Sequence, residues 1–150
     1  MITFSRAALA ASLAPALLLM APLAPTGAIA GETPSPDGAR VYIVNIKNGD
    51  TITGPVTIVF GLDGMGVAPA GIEVENTGHH HLLINYELTD EDMEFGIPAT
   101  DNSVHFGGGQ TQTTMDLPTG THTLQLVLGD FAHIPHDPPV MSDPITVTVK

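Results

Sequence analysis

The 150-residue chain carries 4 Lys+Arg against 16 Asp+Glu and no cysteine, a length that allows one domain and little more. Disulfide bridges and thiolate metal sites are excluded, and a formal charge of −12 excludes a nucleic-acid-binding surface, which needs clustered Lys and Arg to displace counterions. Cations are the natural partners, and a transition metal here must be held by imidazole, carboxylate, thioether or backbone groups.

Residues 1–30 read as a secretory signal peptide: Arg6 lies in a short positive start, an apolar Ala/Leu run follows from Ala7 to Leu23, and Ala28-Ile29-Ala30 precedes Gly31. A membrane anchor would need about 20 strongly apolar residues, whereas this run is broken by Pro15 and Pro22. The expected location is therefore periplasmic or secreted, with no membrane span after cleavage. Cleavage would remove one basic residue and none of the seven histidines. Gly31–Arg40 is polar and rich in Pro and Gly, which predicts a flexible leader, and the folded domain is expected over 41–150.

Short β-branched runs follow: Val41–Ile46, Thr51–Thr53, Val56–Leu62, His80–Leu88, Thr111–Leu117, His122–Leu128 and Ile145–Val149. Asn48-Gly49-Asp50 and Pro118-Thr119-Gly120 supply turns between them. The last run alternates strictly, so Ile145, Val147 and Val149 share one face. About seven short strands in this length predict an all-β fold, an immunoglobulin-like antiparallel β-sandwich, with a small closed barrel as the alternative. The acidic stretch Asp90–Glu94 misses the calcium-loop pattern and reads as a solvated loop. The glycine run after His105 lacks the Lys-Ser/Thr ending of a phosphate cradle. With three serines beyond residue 30 and no Gly-x-Ser-x-Gly, a serine hydrolase is unsupported.

The histidines carry the chemical signal. In an extended strand, residues i and i+2 project to one face about 6.5 to 7 Å apart, so the imidazoles of His79 and His81 can converge on one ion. His80 then points with Leu82 and Ile84, as a packed histidine bonded to backbone. In His133-Ile134-Pro135-His136-Asp137, Pro135 bars a regular helix, leaving a stiff loop whose His133 and His136 can face one point. Asp130 and Asp137 offer oxygen ligands or partners for an imidazole N–H. His105, beside Gly107-Gly108-Gly109, is a further candidate ligand. His122, just after a Pro-x-Gly turn, reads as structural. Ordered loops whose histidines merely hold backbone carbonyls remain the alternative at both clusters.

Together, Gly64–Gly71, Gly78-His79-His80-His81-Leu82-Leu83-Ile84, His105-Phe106-Gly107-Gly108-Gly109-Gln110-Thr111, His122–Leu126 and Gly129-Asp130 through Pro139 resemble an uncharacterised family of exported bacterial proteins, domain of unknown function family 4399. The resemblance covers nearly all of Val41–Val149 and implies no settled activity.

The residues predict an exported, histidine-rich protein that captures or carries copper as Cu(II), or else zinc as Zn(II), through His79, His81, His105, His133 and His136; imidazole sites favour copper by the Irving–Williams order. Affinity is expected to fall below about pH 6.5, the ordinary histidine value. Two alternatives stand beside this binding protein: an envelope interaction module that meets another envelope protein and uses no metal, and a copper oxidoreductase of the superoxide dismutase type, which would need an open coordination position.

Overall fold

In a computed structural model, residues 33–150 are described; the expected signal peptide lies outside them. Nine strands and one short helix form a sandwich. Strands β1 (Arg40–Ile43), β3 (Val56–Asp63) and β7 (Gln112–Met115) make a three-stranded sheet in the order β1-β3-β7. The larger sheet runs β2 (Thr51–Ile52), β9 (Ile145–Val149), β8 (Gly120–Gly129), β5 (Thr77–Ile84), β4 (Gly66–Val67), with β6 (Ser103–His105) also paired to β5.

The expected sandwich is present, with two more strands than the seven predicted and with β2–β9 and β4–β5 parallel rather than antiparallel. Strand β4 has two residues and β6 three, too few to show a period in sequence. The core lies between the sheets. Val41, Val56, Ile58 and Phe60 of the smaller sheet meet Leu82, Ile84, Leu124, Leu126, Leu128, Val147 and Val149 of the larger. These are the alternate positions of each strand, as the pleat requires.

Strand β5 behaves differently, because everything in it from Gly78 onward is buried. Both of its faces are covered, which removes the alternation that a half-solvated strand shows. Its second face carries Leu83, which packs with Ile97 and Val127 and, at the margin, Tyr86, Leu88 and Met141. The segment that covers this face includes α1 (Asp90–Phe95), where the sequence predicts a solvated loop. Thr89 caps this helix: the Asp92 N–H donates to Thr89 Oγ1, and the Thr89 N–H donates to Asp92 Oδ2 at 2.8 Å. Such a capping box with acidic residues in the first turn stabilises an N-terminus. No residue of α1 is buried, so no apolar stripe announces it.

Strand β5 ends at Ile84, four residues before the predicted end, because Asn85 turns to φ 52°. The segment expected as a flexible leader runs beside the loop that follows β8. Ser35 N–H donates to the Asp137 carbonyl, Asp137 N–H donates to the Thr33 carbonyl, and Arg40 already belongs to β1.

Candidate metal centre

The fold answers whether the two histidine clusters, some fifty residues apart in sequence, meet. β5 and β8 are antiparallel neighbours in which His79 stands opposite Gly129 and His81 opposite Val127. Four residues beyond Gly129 the chain reaches His133. On the other edge of β5, His81 stands opposite His105 of β6. Three adjacent stretches of chain thus deliver four imidazoles to one place on the outer face of the larger sheet.

Ring centroids lie 4.9 Å apart for His79–His81 and His79–His105, 5.0 Å for His79–His133 and His81–His105, and 4.6 Å for His105–His133. His79 and His81 are buried; His105 and His133 are half-buried and form the outward side. One ring nitrogen from each of His79, His105 and His133 lies within 4.8 Å of the others, a group able to hold a metal ion. The Nε2 atoms of His79 and His81 are 3.1 Å apart. Two imidazoles on one ion with bonds of about 2.0 to 2.1 Å would bring their nitrogens to about 2.9 Å in a square plane and about 3.3 Å in a tetrahedron. The observed separation falls between these values.

Glycines make the room. A Cβ on Gly129 would sit 2.9 Å from His81 Nε2, and a Cβ on Gly107 would overlap the His105 ring. Neither site tolerates a side chain without displacing an imidazole, which is why an isolated glycine ends β8 and another follows His105.

The remaining histidines sort by their hydrogen bonds. His122 is satisfied at both nitrogens: Nε2 donates to the Pro118 carbonyl at 2.7 Å, and Nδ1 accepts from Asn85 Nδ2 at 2.9 Å. It is the structural histidine expected. By contrast, among the described residues His79 Nδ1, His81 Nδ1 and His105 Nε2 are buried with no hydrogen-bond partner. Such groups are rare unless something else satisfies them.

His80 points into the core beside Phe60, as predicted, with ring centroids 5.1 Å apart. Neither ring nitrogen makes a well-formed hydrogen bond, and the Gln110 backbone is the polar group that acts on the ring. His136 is fully buried too, but its Nε2 lies where a Cβ on Gly78 would be, against Leu128. Gly78 alternates with His79, so His136 sits on the core side of the sheet and not with the other four. Asp137 is exposed. Asp130 is buried and binds backbone: Oδ1 accepts from the N–H groups of Ala132 at 2.8 Å and Ile134 at 3.0 Å.

Burial lowers the pKa of three of the clustered imidazoles. Burial pushes His79 down to about 4, with the like charges of His105 and His133 acting in the same sense. His81 lies lower still, first from burial and then from His79. Burial also lowers His105, followed by the effect of His133. His136 is lowered by burial, against the opposing pull of Asp130. Neutral imidazole is the form that binds metal, so protons do not compete at His79 until well below the pH 6.5 expected from sequence.

The family called DUF4399, described as a domain of unknown function, matches residues 58–150. The chain belongs to this family. The matched span contains all four clustered histidines. No curated protein matches the chain. Among solved structures, the endo-beta-1,4-mannanase from Thermotoga petrophila is similar at 16% identity with a TM-score of 0.44. That likeness covers 75% of this chain and 20% of the mannanase, so the chain spans about a fifth of the enzyme's length. Among the described residues no helix is long and apolar enough to cross a membrane.

Proposed function

We propose that this DUF4399 protein is an exported metal-capture protein that binds Cu(II), or failing that Zn(II), through His79, His81, His105 and His133. The observation that carries the reading is the convergence of four histidines. The Nε2 atoms of His79 and His81 lie 3.1 Å apart, and one ring nitrogen each of His79, His105 and His133 lies within 4.8 Å of the others. A metal-free interaction module has no use for that arrangement.

The preference for copper rests on donor chemistry: four imidazole nitrogens, no thiolate, and the Irving–Williams order. The rigid strands β5 and β6 preorganise His79, His81 and His105, and burial lowers the pKa of all three. Half-buried His105 and His133 provide the entry side. Export rests on the N-terminal signal pattern.

Electron paramagnetic resonance of the protein with one equivalent of Cu(II) tests the ligand set. The expected spectrum has a nitrogen-rich coordination shell that changes in His105→Ala and in His133→Ala. A spectrum of weakly held copper with oxygen ligands, indifferent to both substitutions, would overturn the proposal.

A further inference from the structure

His133 is the member of the cluster that does not stand on a strand. It occupies the loop after β8 with φ 70°, a left-handed conformation that is strained for any residue with a side chain. Something must hold it there, and the hydrogen bonds identify what does. The His133 N–H donates to the Asp130 carbonyl, and the His133 carbonyl accepts from Ile97 N–H. On either side of His133, the N–H groups of Ala132 and Ile134 donate to one oxygen of the Asp130 carboxylate. The second oxygen of that carboxylate, Oδ2, accepts from the Thr33 hydroxyl at 2.7 Å, across 97 residues of sequence.

Thr33 is itself held in place. Its carbonyl accepts from Asp137 N–H, Ser35 N–H donates to the Asp137 carbonyl, and Ser35 Oγ donates to the Pro138 carbonyl at 2.7 Å. The segment before β1 is therefore laid along the far end of the histidine loop, with one hydroxyl reaching through to the carboxylate that shapes it. The Thr33 and Pro34 backbone also acts on the core-side His136 imidazole.

We propose that residues 33–35 are a strap that completes the metal site, with Thr33 and Asp130 as positioning residues that aim His133 at His79 and His105. The inference rests on the metal-capture reading and adds a dependence of that site on the N-terminal segment. Thr33 orients the carboxylate, the carboxylate fixes the peptides around His133, and the fixed peptides present the imidazole. Partners that orient a ligand in this indirect way are worth about 10- to 100-fold in metal affinity.

The test is calorimetric titration of the purified full chain with Zn(II) alone, in the unmodified protein and in Thr33→Val, Thr33→Ser, His133→Ala and the Thr33→Val/His133→Ala double variant. Thr33→Val is expected to weaken Zn(II) binding by about tenfold, Thr33→Ser to restore it, and Thr33→Val to have no further effect once His133 is gone. A merely structural role would weaken binding equally with and without His133. That outcome, or unchanged affinity in Thr33→Val, overturns the strap while leaving metal capture standing. Absence of Zn(II) binding in the unmodified protein would sink both.

Discussion

Acid should destabilise the metal-free protein well above the pH at which carboxylates protonate. His79 and His80 are held at about 4 in the fold, chiefly by burial, and return to about 6.5 when the chain unfolds. The unfolded chain then takes up protons that the native state refuses. Stability from this source is complete above pH 6.5 and is lost as pH falls from there toward 4. Between pH 7.5 and 5.0 each such histidine removes about 2 kcal/mol, and the two together about 4 kcal/mol, a large part of an ordinary folding free energy. Urea unfolding in the presence of a chelator measures the loss. With a slope of about 1.5 kcal/mol per molar, the midpoint should fall by at least about 2.5 M, since His81, lower still, adds to the loss. His80→Leu, which replaces a buried core imidazole, should remove about 2 kcal/mol of that pH dependence. A midpoint that moves by less than about 0.5 M between the two pH values, or the same shift in His80→Leu, would refute the reasoning.

Other substitutions separate the site from the scaffold. Gly129→Ala places a methyl group 2.9 Å from His81 Nε2 and should weaken metal binding at least tenfold, read by competition with a chromophoric chelator. His122→Ala breaks two hydrogen bonds and should cost about 1 to 3 kcal/mol in urea unfolding while leaving metal affinity unchanged. Leu126→Ala, at a fully buried core position, should cost about 2 to 5 kcal/mol with unaltered metal stoichiometry. Metal affinity measured against pH should fall more gradually below about 6.5 than a site of ordinary histidines would show, since burial holds His79 at about 4 and lowers His81 and His105 as well.

Much of this was legible in the sequence because strands advertise themselves locally. The His79/His81 pair followed from the two-residue period of an extended chain, and the inward turn of His80 from its alternation with Leu82 and Ile84. The ligand His105 could be suspected, but β6 could not, since three residues before a glycine run carry no period. Convergence of His79 with His133 depends on β5 lying beside β8 with His79 opposite Gly129, a register that no local pattern encodes. Proximity in sequence groups His136 with His133. The chain reverses between them and the sheet separates them, so that His136 faces Gly78 and Leu128 on the core side. The roles of Thr33 and Asp130 were beyond reach for the same reason: a hydroxyl 97 residues from its carboxylate leaves no trace in spacing. Gly129 at the end of its strand and Gly107 at the head of the glycine run were the signal that could have been used, as glycine in or beside a strand often marks close approach by another group.

Metal capture requires that the four imidazoles act as a single metal site. Calorimetric titration of the purified protein with Cu(II) and with Zn(II), beside His79→Ala/His81→Ala and His136→Ala, tests this. One tight equivalent is expected in the unmodified protein, retained in His136→Ala and abolished in the double variant. Binding no stronger than that of an unstructured histidine peptide, or tight binding that survives loss of both His79 and His81, would contradict it.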